Sequence, residues 1–186
     1  MLRKMILAMD LDGCIGKDDG LPWRLRADML RFKRLTIGEG NNAVLMGRTT
    51  WESLPEAYRP LENRLNIVVS RNLEYTLEQV SVSSSIENGL LVAEENQSDI
   101  CWIIGGANVY EQCRELVEEI HVTMVQTNRS GEIRVELFSE NDWEKEIVET
   151  VPSDDKNEHE TTYMLSLIHI SEPTRRYAIS YAVFCL

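Results

Sequence analysis

The chain has 186 residues, 43% of them hydrophobic, and carries 31 acidic against 19 basic side chains, a net charge of −12. That length is expected to form one domain that buries roughly two thirds of its unfolded surface, with no disulfide or metal needed to hold it. The acidic balance argues against nucleic acid or an anionic membrane as partner, so an anionic ligand must be held by a few local cations or by helix N-termini.

Cys14, Cys101, Cys113 and Cys185 show neither a Cys-x-x-Cys pair nor a Cys/His spacing that would hold zinc, and the N-terminus does not read as a signal peptide. No apolar run approaches the ~18 residues that a spanning helix needs. A soluble, reduced, cytoplasmic protein without metal is expected.

The first β-rich run is Met5 to Met9, followed by a polar segment, Asp10 to Leu21, in which Gly13, Gly16 and Gly20 predict a mobile loop. After the Leu21-Pro22-Trp23 turn, a helix is predicted over Arg26 to Thr36. Positions i, i+4 and i+7 share a helix face, so Asp28 lies in one stripe with Phe32 and Leu35, while Arg26, Lys33 and Arg34 turn away. An acid set among apolar groups rather than beside a cation is expected to be buried with a raised pKa, and to recognise a polar ligand or manage a proton. An acid in a first helical turn is also favoured by the helix dipole alone, so Asp28 by itself supports two readings.

The second run, Ala43 to Met46, leads through Gly47-Arg48-Thr49 into a short helix, Thr50 to Leu54, read as capped by threonine. Free amides, a glycine and the Arg48 fork make this turn a candidate anion site. Arg59-Pro60-Leu61-Glu62-Asn63-Arg64 precedes the strand Leu65 to Ser70, and Arg64 and Arg71 add cations at its two ends. A helix over Ile86 to Asn96 precedes the strand Ile100 to Ile104, the pair Gly105-Gly106, and a helix over Asn108 to Val117. The Gly-Gly pair is weak alone, but beside the first turn it is compatible with a dinucleotide lying across the strand ends. Ile120 to Val125 follows, and Trp143 to Glu149 with Thr161 to Leu165 reads as an antiparallel hairpin across the acidic segment Pro152 to Glu160. Alternating strands and helices predict an α/β domain with a mostly parallel sheet, closed by that hairpin. From about Leu167 the chain reads LIHISEPTRRYAISYAVFCL, which resembles translated sequencing-adapter read-through. Residues 1–166 are therefore taken as the domain and 167–186 as a non-native tail, the alternative being a genuine extension with an added strand through the alternating Tyr177, Ile179, Tyr181 and Val183.

Ile15-Gly16, Leu21-Pro22-Trp23, Asp28-x-x-x-Phe32, Met46-Gly47-Arg48-Thr49-Thr50-Trp51-Glu52-Ser53 and Ile104-Gly105-Gly106-x-x-x-Tyr110, in this order, resemble the dihydrofolate reductase family from about Met5 to Leu165. The resemblance implies an eight-stranded mixed sheet with four helices and hydride transfer from NADPH to 7,8-dihydrofolate, giving tetrahydrofolate. It also implies that Asp28 is the sole ionisable group facing the pterin, with Trp23 and Leu21 in the loop closing over the nicotinamide. Phe32, Leu61 and Ile104 would meet the pterin and benzoyl rings, Ala8 and Thr123 would complete the pocket, and Arg64 would clamp the glutamate carboxylate.

On the cofactor side, the resemblance assigns the phosphates to Gly47, Arg48, Thr49 and Thr50, and the adenosine ribose to Ser70 and Arg71. Ala8, Ile15, Gly16, Ile104, Gly105, Gly106 and the run Ala107-Asn108-Val109-Tyr110 complete that side, with a cis Gly105-Gly106 peptide. The protein is expected to act as a monomer. Two departures stand out: Glu62-Asn63 replaces a proline and glycine ahead of Arg64, and Gly131-Glu132-Ile133 replaces the family's Gly-Asp-Thr turn, which braces the closed loop. The competing readings are a pyrimidine reductase of riboflavin synthesis and a non-catalytic nucleotide-binding scaffold. His121, His159 and His169 read as strand or loop residues.

Overall fold

The computed structural model describes residues 1–17, 20–72, 74–128, 131–136 and 143–168. In chain order these form β1 (Leu2–Asp10), β2 (Cys14–Gly16), α1 (Arg26–Ile37), β3 (Asn42–Gly47), α2 (Arg48–Ser53), β4 (Arg64–Val69), β5 (Ser81–Ser83) and α3 (Ile86–Glu95), then β6 (Ile100–Ile103), α4 (Ala107–Cys113), β7 (Glu119–Val125), β8 (Ile133–Arg134), β9 (Trp143–Val151) and β10 (Thr161–Ile168). Eight strands make one sheet in the order β5-β4-β3-β6-β1-β7-β10-β9, and β2 pairs with β8 in a small second sheet. Within the large sheet β10 runs antiparallel to both β7 and β9, and the remaining pairings are parallel. The α/β architecture and the terminal hairpin thus agree with the sequence reading.

A parallel sheet covered on both sides needs strands that are apolar on both faces. Along β1, Met5, Leu7 and Met9 pack with Ile86, Leu90, Val109 and Tyr110 under α3 and α4, while Ile6 faces Val44, Met46, Trp51 and Trp102 under α1 and α2. The parallel strands all end on one side, so the turns after β1, β3, β4 and β6 converge there.

Four expectations need correcting. The segment Asp10 to Leu21 is not wholly loop, because Cys14 pairs with Arg134 and Gly16 with Ile133. The helix after β3 begins at Arg48 with Gly47 as its cap, so Thr49 and Thr50 lie inside its first turn and no side chain caps it. The fourth helix, after Gly106, stops at Cys113 rather than continuing to Val117. The last strand continues past Leu165, with Leu167 opposite Glu119 and Ile168 opposite Trp143, which moves the end of the folded unit beyond Ser166. The rest of the expected tail, from His169 on, lies outside the described residues.

Candidate active site

The strand ends frame a cleft of about 1270 Å³. One end is floored by Ala8 of β1 and walled by Asp28, Met29 and Phe32 of α1 and by Ile104; the other is bounded by Gly47, Arg48, Thr49, Thr50, Ser70 and Arg71. Between the two ends lie Ile15, Gly16 and Leu21 on one side and Gly106, Ala107, Asn108, Val109 and Tyr110 on the other.

Asp28 is half-buried, with its side chain 18% exposed. Its Oδ1 accepts hydrogen bonds from Thr123 Oγ1 at 2.5 Å and from Arg31 Nη1 at 3.2 Å. Burial raises its pKa, while the Thr123 hydroxyl and the Arg31 guanidinium act in the opposite direction. The direction matches the sequence expectation, but the surroundings do not. Arg31 stands one helical turn further along the same face, and it is buried at 5% exposure. An arginine in a helix that carries Arg26, Lys33 and Arg34 outward reads as another solvated cation, and that is why it went unnoticed.

Trp23 is buried with Leu25 and Val125, against Ala8, and its Nε1 has no hydrogen-bond partner among the described residues. It borders a smaller depression of about 540 Å³ behind Asp28, which shares Leu21, Asp28 and Met29 with the main cleft. Leu61 is buried in one cluster with Phe32, Leu35, Leu54 and Ile104. Thr123 reaches the cleft through Asp28 rather than by lining it.

Arg64 lies at the base of α1, its Nη1 donating to Thr36 Oγ1 at 2.8 Å and its Nε to the Glu62 carbonyl at 3.0 Å. The altered approach to it keeps a tight turn, because Asn63 adopts a left-handed φ of 58°, which asparagine tolerates better than most residues. Asn66 pins the same turn, accepting from Leu61 N at 2.9 Å and donating to its carbonyl at 2.8 Å.

At the far end, Gly47 N donates to Gly105 O at 2.8 Å, which ties the turns after β3 and β6 together. Gly105 has a φ of 109°, and a Cβ there would meet the Tyr110 ring at 3.0 Å, so a larger residue is strained at this point. The Gly105-Gly106 peptide is cis. Tyr110 donates its hydroxyl to the Ile6 carbonyl at 2.9 Å, and burial pushes its phenol pKa up. Arg48 is 47% exposed, 3.8 Å from Glu52 and 5.7 Å from the centre of the Tyr75 ring.

Ser84, Ser85, Ile86 and Glu87 also line this end, and sequence reasoning missed them. Their one signal is the Ser85 cap of α3, whose side chain accepts from Asn88 N. They lie at and just before the start of α3, which follows the sheet-edge strand β5, far in sequence from the two glycine turns. Ile133 reaches the cleft as well, from β8.

Gly131 packs onto Cys14, and a Cβ there would overlap the Cys14 sulfur and stand 2.7 Å from the Gly16 carbonyl. Gly131→Ala is therefore expected to force β2 and β8 apart, costing about 1–3 kcal/mol of stability. Thermal melting reads that cost directly, and a raised KM would show that the β2 segment shapes the cleft.

The family model for dihydrofolate reductase matches residues 3–167, from the start of β1 nearly to the end of β10. The chain belongs to the dihydrofolate reductase family. It is 41% identical to the dihydrofolate reductase of Mycobacterium leprae over 123 residues, 66% of this chain and 72% of that protein. It is 33% identical to dihydrofolate reductase type 3 of Salmonella typhimurium, covering 86% of this chain and 93% of that one. The solved dihydrofolate reductase from Enterococcus faecalis, complexed with NADP(H) and RAB-propyl, superposes with a TM-score of 0.76 at 32% identity, over 90% of this chain and 96% of the other. The eight strands and four helices described above therefore constitute a dihydrofolate reductase fold.

Proposed function

We infer that this chain reduces 7,8-dihydrofolate to 5,6,7,8-tetrahydrofolate at the expense of NADPH. The observation that carries the reading is Asp28, a half-buried carboxylate at one end of a cleft whose other end presents two arginines and two glycine turns. The structure fits the cofactor in two respects. The two glycine turns bring backbone close to the cleft without side chains, and neither helix that starts there has a side-chain cap over its first amides. Arg48 and Arg71 supply positive charge for a 2′-phosphate in an otherwise acidic chain.

NADPH, when bound, supplies the hydride; the residues position two rings and manage one proton. Asp28 binds the pterin's amino group and ring nitrogen and favours protonation at N5. Phe32, Leu61 and Ile104 make the apolar wall against the pterin and benzoyl rings, and Ala8 completes the floor. Leu21 and Trp23 shield the meeting point of the rings from water, and Arg64 holds the glutamate carboxylate. Gly47, Arg48, Thr49 and Thr50 hold phosphates, Ser70 and Arg71 the adenosine ribose, and Gly105 to Tyr110, with Ile15 and Gly16, the nicotinamide side.

Three described cysteines are buried free thiols, and no helix among the described residues is long and apolar enough to cross a membrane, which supports a cytoplasmic site of action. We take the working unit to be a monomer, which light scattering would test. Dihydrofolate-dependent loss of NADPH absorbance, with NADH as control, tests the activity; NADPH binding without turnover would overturn it. A chain ending after Ile168 is expected to keep NADPH binding and turnover. If that shortened chain failed to fold while the full chain was stable, the tail would be a structural element.

A further inference from the structure

The side of Asp28 away from the cleft carries a charge arrangement that the reaction as described above does not use. Arg31 Nη1 meets Asp28 Oδ1 at 3.2 Å, and Nη2 donates to Glu149 Oε2 of β9 at 2.8 Å. The guanidinium lies 4.4 Å over the ring of Tyr163 on β10, and Nη1 also reaches Thr123 Oγ1 of β7 at 3.4 Å. One buried cation thus joins α1 to three strands and is shared between a ligand-facing acid and an exposed one. A guanidinium suits this place, because its planar fork serves two acceptors while its face stacks on a ring.

We propose that Arg31 is a positioning residue for the reaction: it holds the Asp28 carboxylate from behind, and Glu149 sets how much of its charge Asp28 feels. The proposal rests on Asp28 being the group that meets the pterin. Thr123 and Arg31 both bond to Oδ1, which fixes the plane of the carboxylate, and Asp28 lines the cleft.

The charge balance can be followed element by element. From β7 and β10, His121 Nδ1 contacts the Tyr163 hydroxyl at 2.6 Å, and burial lowers the His121 pKa, which favours the neutral ring. Glu119 beside it is matched by Lys4 of β1 at 2.7 Å. From α4, the Tyr110 phenol keeps its proton, since burial pushes its pKa up. The depression behind Asp28 is bordered by Arg24 and Arg26 with Asp155, Lys156 and Glu158, exposed groups of both signs that solvent screens. Among the described residues, Arg31 and its partner Glu149 are therefore the charges in direct hydrogen-bonded sequence with Asp28.

The test is the titration of the Asp28 carboxyl carbon by NMR in the ligand-free full chain, run beside the pH profile of dihydrofolate reduction. In Arg31→Met the Asp28 midpoint is expected to rise by about one unit, since an adjacent opposite charge holds a carboxyl down by that order. In Glu149→Gln, at an exposed site that threatens no fold, the midpoint is expected to fall by a smaller amount. Arg31→Lys should stay nearer to wild type than Arg31→Met. In the Arg31→Met background, Glu149→Gln should lose most of its effect.

A merely structural arginine would not move the midpoint in opposite senses at its two ends. An equal shift with and without Arg31 overturns the proposal, and so does an unchanged midpoint in Glu149→Gln, which is read even if Arg31→Met fails to fold. Should the wild-type protein not oxidise NADPH with dihydrofolate, the proposed function fails, while the NMR titration still judges Arg31.

Discussion

Asp28→Asn is expected to lower turnover at neutral pH by roughly two to four orders of magnitude, the range over which a positioned proton-managing group acts. NADPH affinity should stay near that of the parent, because Asp28 stands at the opposite end of the cleft from Arg48 and Arg71. The pH dependence has a definite sign. Burial raises the Asp28 pKa from its ordinary 3.8, so between that value and the folded one the native protein retains a proton that the unfolded chain has released. Stability from this group is present below the unfolded pKa and is lost as pH rises through the folded one. The asparagine variant escapes that loss and should melt no lower than wild type at neutral pH, provided that its amide oxygen still accepts from Arg31 and Thr123. Stopped-flow and steady-state rates across pH, with NADPH titrations, check each part. Near-normal turnover in the variant would remove Asp28 from the chemistry.

Replacing both Arg48 and Arg71 with alanine should weaken NADPH by about tenfold to a hundredfold while changing NADH much less. Hydrogen bonds to charged groups contribute about 1.5–3 kcal/mol, and solvent exposure of both side chains argues for the lower part of that range. The 2′-phosphate is the one group that distinguishes the two cofactors. Glu52, 3.8 Å from Arg48, and Glu87 at the rim of the same end oppose a phosphate, so the arginines also screen acids already present. Equal loss for both cofactors, read by fluorescence titration, would assign these arginines to the pyrophosphate or to the fold.

The parts of this fold that could be read in advance are those whose residues announce their own environment. Met5 to Met9 and Ala43 to Met46 are buried on both faces, and a continuous apolar run is the signature of that environment. The pieces that escaped have no period to detect: β5 has three residues, and β2 and β8 have three and two. The pairing of β2 with β8 is decided by where Gly131 lets the chain approach Cys14, which is a tertiary fact.

The same division runs through the site. Asp28 stood out because an acid in an apolar stripe is anomalous in one dimension. Arg31 did not, because its burial depends on Thr123 and Glu149, and the two bonds that complete the cluster span 95 and 118 residues. The start of α2 falls two residues ahead of the expected one because Gly47, not a threonine, precedes it, and α4 likewise starts one residue early, after Gly106.

The position of β1 bears on how this protein is made. Among the described strands it is made first, yet its neighbours in the sheet are β6 and β7, so that Leu2 waits for Ile100 and Lys4 for Glu119. At roughly 5–20 residues per second, that leaves an apolar strand unpaired for about 5–20 s of synthesis. The long sequence separation of these pairings also predicts slow refolding, limited by loop closure rather than by local structure. Newly made chains should therefore depend on holding chaperones until β7 emerges, and fragments ending before Val125 should aggregate instead of folding.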